Sequence, residues 1–255
     1  MTRKLYGNWF SPFARKVALA LELKGLAYET IDALALARHD ELVAVNPRGE
    51  VPVLVDGALP VVNSSDILQY LEWRYPEPRL YPDGIEDRVA ARALERLADV
   101  RLDAILVDCS YWRWAKRDDA PPAGLMEAAQ RDLTTLLGRI EEELKARPRP
   151  WPFGAPGVAE CAMFPHLAAV PPLGFALDAA RLPATAAWLD AMRAHPAFAA
   201  DVKRTRAFLK EFVASDAHER RKLAWRGDRI EWLLARGFHG WLFKEIEAGR
   251  AFFPD

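Results

Sequence analysis

The fold class predicted by this chain is a mixed α/β domain of about 80 residues followed by an all-helical domain. Three observations predict it. Over the first part of the chain the hydrophobic period switches repeatedly between the strand and helix values, and beyond that it is helical throughout. A proline-rich stretch (Pro76, Pro78 and Pro82, with Gly84) separates the two regimes. The 255 residues are 51% hydrophobic, so each part can bury a core of its own.

The elements follow in order. Lys4–Tyr6 is a short strand and Gly7-Asn8 a turn. Ser11-Pro12 opens a helix, with serine as N-cap and proline at the first helical position. Val17, Ala18, Leu19 and Leu21 form its apolar stripe, and Gly25 ends it. Tyr28–Ile31 is a second strand and Asp40–Val45 a short helix before the turn cluster Asn46–Gly49. Val51–Val55 and Leu59–Val62 are strands three and four, joined at Asp56-Gly57 as a hairpin. Ser64 or Ser65 caps a helix that runs to Pro76. Five helices follow the linker: Arg88–Arg117, Gly124–Arg147, Val158–Val170, Ala184–Arg193 and Phe198–Val213. The domains are therefore 1–80 and 85–213, with an extension at 214–255.

Composition excludes several function classes. Lys plus Arg number 35 and Asp plus Glu 36, a net charge of -1, which argues against binding nucleic acid or an anionic membrane through bulk charge. Two cysteines, Cys109 and Cys161, are too few for a disulfide scaffold or a cysteine-based zinc site. No run of ~18 apolar residues is present, and the first residues carry no apolar signal core, so a cytoplasmic protein without a bound metal is expected. The charge is uneven: residues 201–255 hold 12 basic and 9 acidic residues (+3), leaving 23 against 27 (-4) for the rest.

Three segments could carry chemistry. Ser11 sits at a helix N-terminus, among unpaired backbone N–H groups and at the positive end of the helix dipole, where a thiolate or carboxylate is stabilised. Serving only as a cap and serving a ligand are both open readings. Val51-Pro52 precedes a strand, where a cis bond would free the Val51 backbone to pair with a peptide-like ligand and a trans bond would be ordinary. Asn63-Ser64 lies at a strand-to-helix junction that again suits either a cap or a bound carboxylate.

Taken together, Leu5–Lys24 (with SPFARKVALAL), Asn46–Gly57 (NPRGEVPVLVDG) and Val61–Leu71 (within NSSDILQYLE) resemble, in order and spacing, the N-terminal domain of cytosolic glutathione transferases, a thioredoxin-like fold. Trp9-Phe10-Ser11-Pro12-Phe13 is most similar to the serine-type, tau-like classes. The resemblance covers about residues 1–82 and extends more loosely over 85–212. It implies that Ser11 donates a hydrogen bond to the glutathione sulfur and favours the thiolate. It implies further that Val51, presented by a cis-Pro52, pairs with the cysteinyl part, that Asn63 and Ser64 hold the γ-glutamyl end, and that Phe13 belongs to the glutathione-binding segment. Arg38 or His39 falls where the family places a cation for the glycyl carboxylate. Asn63 departs from the usual Glu or Gln, which removes an ion pair to the γ-glutamyl ammonium. Phe10, Tyr111 and Trp112 are expected to wall the electrophile pocket, although Tyr111–Trp114 also suits plain helix packing. Tyr6 is the competing catalytic residue of tyrosine-type classes. The absence of Cys at position 11 disfavours disulfide chemistry.

In the helical domain, Phe153–Pro165 (FGAPGVAECAMFP) resembles the family's buried-helix motif, with Gly157 and Glu160 where a Ser/Thr cap and an Asp are usual. Cys161 reads as a core residue and Cys109 as structural or exposed. The extension is unusual: Trp225, Trp232 and Trp241 fall within the last 31 residues, His218–Arg236 is amphipathic, and Phe252-Phe253 follows. It is read as packing on its own domain, or as capping the cleft or a subunit interface. The function expected is conjugation of glutathione, as co-substrate, to a hydrophobic electrophile by a homodimer. The alternatives are a non-catalytic binding protein of the same fold, or a glutathione-dependent isomerase, dehalogenase or etherase.

Overall fold

The computed structural model describes residues 3–33, 35–114, 117, 119–214, 223–224 and 226–252. The N-terminal part is a four-stranded sheet in the order β2-β1-β3-β4, formed by β1 (Arg3–Gly7), β2 (Tyr28–Asp32), β3 (Val53–Asp56) and β4 (Leu59–Val62). β1 and β2 are parallel, joined through α1 (Pro12–Leu23), and the other pairings are antiparallel. α2 (His39–Val45) follows a short 3-10 turn, and α3 (Ser64–Arg74) follows β4. This is the mixed sheet and thioredoxin-like arrangement expected.

Some boundaries differ from expectation. Asp56 pairs with Leu59, so the hairpin turn is Gly57-Ala58, and Gly57 supplies the left-handed backbone at φ 67°. Strand three begins at Val53, because Val51-Pro52 form the bend before it. The cap of α3 is Asn63, neither Ser64 nor Ser65: its side chain accepts the Ser65 N–H at 3.0 Å. The helix expected over 88–117 is α4 (Ile85–Arg96), a π-helical stretch (Leu97–Leu102) and α5 (Asp103–Trp114).

α6 (Leu125–Lys145), α7 (Val158–Ala169), α8 (Pro183–Ala194) and α9 (Pro196–Ala214) complete the helical bundle. α7 has no solvent-facing polar stripe, and its residues from Val158 to Leu167 are all buried. Glu160 accepts the Gly157 N–H at 2.8 Å and the Trp188 indole at 3.0 Å, so the glutamate supplies its half of a capping box while glycine, without a side chain, cannot supply the other. Position 157 has no room for the usual serine or threonine, because a Cβ there would run into the Leu80 carbonyl oxygen, which accepts the Val158 N–H at 2.8 Å. Cys109 and Cys161 are both buried, and burial pushes both thiols up, out of the reactive range.

α1 is the hinge between the two parts. Every residue from Phe13 to Leu21 is buried, because the helix lies between the sheet and the bundle and packs on α3, α7 and α9. Gly7 permits this: a Cβ there would come within 2.6 Å of the Ala14 Cβ, where α1 turns back over the end of β1.

The extension continues with α10 (Gly227–Ala235) and α11 (His239–Glu247), closed by a two-residue strand pair, Leu223–Ala224 with Ala251–Phe252. Trp232, Leu233 and Leu242 are buried against the bundle. Asp132 accepts from both the Trp232 indole at 2.8 Å and Arg236 at 2.6 Å, and Glu245 joins Arg117 and Arg250, each at 2.7 Å. Of the residues singled out in the sequence, His218, Trp225 and Phe253 lie outside the described residues.

Candidate active site

One row of paired residues, Ile31–Tyr6–Val53–Val62, crosses all four strands. At the end of the sheet it marks, the chain leaves β1 toward Ser11, enters β3 from Val51-Pro52 and leaves β4 into Asn63-Ser64. β2 ends at this row as well and leads to Arg38 and His39. The sheet register therefore gathers segments that lie far apart in sequence at one edge, where the N-termini of α1 and α3 both begin.

Asn8, buried, shapes the first loop. Its side-chain oxygen accepts the N–H groups of Phe10 (3.1 Å) and Ser11 (3.3 Å), and its carbonyl also accepts from Ser11. Ser11 Oγ accepts the Ala14 N–H at 3.2 Å. Because that bond uses an oxygen lone pair, the hydroxyl proton remains available to donate outward. Capping and holding a sulfur are thus compatible in one residue. Tyr6 lies on the opposite face of the strand from Leu5, packed with Ile31, Leu42 and Val53 beneath α2, while Leu5 belongs to the core shared with α1.

The Val51-Pro52 bond is cis. The loop before it is pinned by Asn46, which donates to the Glu50 carbonyl at 2.9 Å and accepts the Arg48 N–H. Asn63 has φ 70° and ψ 127°, the sole non-glycine with positive φ among the described residues. Such a conformation costs about 1–3 kcal/mol and is held by its cap to Ser65 and by the helix that follows.

Below α3 lies a cluster that sequence reasoning missed. Lys16, 1% exposed, reaches Glu95 at 2.5 Å, Asp99 at 2.6 Å, Ser65 Oγ at 3.0 Å and Ser64 Oγ at 3.3 Å. Ser65 in turn donates to Glu95 at 2.8 Å. The ammonium therefore ties α1, the start of α3 and the α4 region into one unit directly behind Asn63-Ser64. Its neighbour Arg15 pairs with Asp201 of α9 at 2.6 Å. The available signal was two adjacent cations, Arg15-Lys16, inside an otherwise apolar helix, together with the acids Glu95 and Asp99 at helical spacing.

The remaining expected residues divide. Arg38 is exposed and bonded to Glu41 at 3.2 Å; His39 is exposed beside Gly49. Phe10 is packed edge-on to Phe208 (5.0 Å) and Phe212 (4.6 Å) of α9, which closes the site from the helical side. The buried Phe13 ring lies between His166 of α7 (6.2 Å) and Arg226 of the extension (4.5 Å). Trp112 faces Trp241 at 5.6 Å and the Arg117 guanidinium at 5.2 Å, so the extension covers it. Tyr111, one residue before it, points a third of a turn away, and burial pushes its hydroxyl pKa up.

A polar group is buried behind Phe13. Arg229 donates to Asp103 at 3.0 Å, and His166 Nε2 lies 3.8 Å from the same carboxylate. Burial alone would raise Asp103, but Arg229 and His166 outweigh it and hold the carboxyl below its usual range. Burial pushes Asp108 well up; neither of its oxygens has a hydrogen-bond partner among the described residues.

Known proteins show the same plan. The glutathione S-transferase N-terminal domain family matches residues 5–79. The maleylacetoacetate isomerase of Pseudomonas aeruginosa is 32% identical over 219 residues, covering 76% of this chain and 93% of that protein. A Vibrio cholerae protein named "Probable maleylacetoacetate isomerase" is 41% identical over 108 residues, 39% of this chain. This chain spans half the length of that protein and 40% of two Arabidopsis thaliana relatives. The structure of maleylacetoacetate isomerase from Anaeromyxobacter dehalogenans, with glutathione in its active site, superposes with a TM-score of 0.63 at 30% identity, over 78% of this chain and 94% of that one. With the sheet, the three converging segments and a relative matched over nearly its whole length, the chain belongs to the glutathione S-transferase family.

Proposed function

We propose that this protein is a glutathione-dependent enzyme that isomerises an activated cis double bond, with the glutathione thiolate held at Ser11. The observation that carries the reading is the Ser11 hydroxyl. It accepts the Ala14 N–H, keeps its own proton, and stands at the sheet end where Val51 and Asn63-Ser64 converge. In this reading Val51 pairs its backbone with the cysteinyl unit, Asn63 and Ser64 take the γ-glutamyl end, and Arg38 or His39 meets the glycyl carboxylate. Phe10 and Tyr111 border the co-substrate.

Isomerisation is preferred to net conjugation because the Pseudomonas aeruginosa relative, matched over 93% of its length, carries the isomerase name, as does the Vibrio cholerae relative at 41% identity. The chemistry needs little beyond the transferase site. The thiolate adds to one alkene carbon, the electron pair moves onto the conjugated carbonyl, and the resulting single bond rotates. Expulsion of the thiolate then restores the double bond as trans and regenerates glutathione. Conjugation to the same alkene shares the first step and ends with protonation of the carbanion, whereas chlorodinitrobenzene is attacked at its ring carbon and loses chloride.

Ser11→Ala is expected to lower kcat about a hundredfold, the scale of removing one donor from a developing anion. The pKa of the bound thiol should return toward about 8.5, the value of a free cysteine. Ultraviolet thiolate absorbance and cis-to-trans turnover of a maleyl-type substrate measure the two effects. Turnover of chlorodinitrobenzene without isomerisation would favour conjugation. Retention on immobilised glutathione with neither activity would favour the binding-protein reading.

A homodimer is part of the proposal. Trp73 (75% exposed), Ile85 (80%) and Val89 (65%) stand on α3 and α4, with Leu59 and Val62 exposed on β4. Large apolar side chains collected on neighbouring elements suit a subunit interface. The double variant Trp73→Glu/Ile85→Glu should sediment as a monomer while the parent sediments as a dimer; identical masses for the two would reject this face.

A further inference from the structure

We infer that Arg226, on the C-terminal extension, is a specificity-determining residue of this site that receives a carboxylate on the co-substrate. The inference rests on the proposed glutathione reading, because the co-substrate is placed by the thiolate it reacts with. Arg226 comes from outside the bundle and lays its guanidinium over the Phe13 ring, 4.5 Å from the centroid. Phe13 is in the first turn of α1, two residues after Ser11, so Arg226 stands against the helix end that, in the proposed reading, holds the thiolate.

Its bonding state distinguishes it from the arginines around it. Arg15 is bonded to Asp201, Arg204 to Glu22 at 2.6 Å, Arg229 to Asp103, and Arg117 to Asp119 and Glu245. Arg226 has Asp228 at 3.7 Å, beyond hydrogen-bond distance, and makes no side-chain hydrogen bond among the described residues. Its side chain is 38% exposed. A guanidinium resting on an aromatic ring by its face keeps its N–H donors at its edge, in the plane that matches a carboxylate bidentately. Asp228, at 3.7 Å, attracts the guanidinium without taking a hydrogen bond from it. A co-substrate with an anionic end is therefore met by a fixed cation, and a neutral one of the same shape is not.

The test uses inert conjugates, so it does not depend on turnover. Calorimetry compares S-hexylglutathione with S-(3-carboxypropyl)glutathione on the parent, Arg226→Ala and Arg226→Lys. A charge-assisted bidentate pair implies that Arg226→Ala loses about tenfold or more in affinity for the carboxylate conjugate. Affinity for the hexyl conjugate should change less than twofold, and lysine should restore part of the loss. Equal losses on both conjugates would show that Arg226 only fastens the extension, and no loss on either would show that it does not face the ligand; each overturns the inference. If the parent binds neither conjugate, the glutathione reading itself fails and this inference falls with it.

Discussion

Replacing Lys16 with methionine is expected to destabilise the protein by about 3–5 kcal/mol, the scale of breaking a buried ion pair by removing one partner. Methionine is close enough in shape to fill the space, so packing is not the main loss. The loss is the cation between Glu95 and Asp99, whose side chains are 3% and 13% exposed. Without it, two carboxylates share a poorly solvated volume, and the Ser64 and Ser65 hydroxyls lose their common donor. Relaxation would have to separate α1 from α3 and α4, which means opening the core between the two domains. Urea unfolding measures the stability, and calorimetry with glutathione should show binding weakened beyond the change in folded fraction, because the start of α3 is no longer held. Lys16→Arg should retain most of both properties. A methionine variant within about 1 kcal/mol of the parent would mean that the acids take up protons or water without strain, and the cluster would then have no positioning role.

Why this cluster escaped sequence reading is physical. Ser11 and the strands were legible because caps, turns and alternation are local: each signal spans a few residues. Lys16 and Arg15 find their acids 83 and 186 residues away, and no periodicity encodes such a pairing. Adjacent charges in a helix read as a solvated face, yet here the helix is buried on every side and both charges are neutralised by the second domain. The same limit explains the long helix. The π-helical stretch at Leu97–Leu102 leaves the apolar repeat nearly intact, so the break is invisible although it carries Asp99 to Lys16. Asn63 shows the reverse case. As a motif letter it marked a missing carboxylate; as a structure it caps α3 at positive φ, a conformation that Asn tolerates better than most side chains. Trp112 shows what a pocket expectation leaves out, because the surface it was expected to offer is covered by Trp241 from the extension.

Arg229→Met is the second large effect, and it should differ in kind. Arg229 is the cation that the extension places between α5 and α7, bonded to an Asp103 that is 0% exposed. Its removal leaves Asp103 with the imidazole of His166 at 3.8 Å as its remaining polar neighbour on α7, a penalty again of about 3–5 kcal/mol if the fold stays closed. Here the fold has an alternative that Lys16 lacks. Among the described residues, the contacts that hold α10 and α11 include Trp232 and Arg236 on Asp132, Glu245 on Arg117, Trp241 on Trp112, and a few buried apolar residues. The extension can lift away and let water reach Asp103, which limits the global loss to the docking energy of the extension. The expected result is a modest fall in Tm together with a large rise in amide exchange confined to α10 and α11. Phe13 and Trp112 would become accessible, and bulky co-substrates excluded by the parent should be turned over. Adding Asp103→Asn to Arg229→Met should recover much of the protection by removing the buried charge. Uniform loss of protection across the bundle in the single variant would instead show that the extension and the helical domain unfold as one cooperative unit.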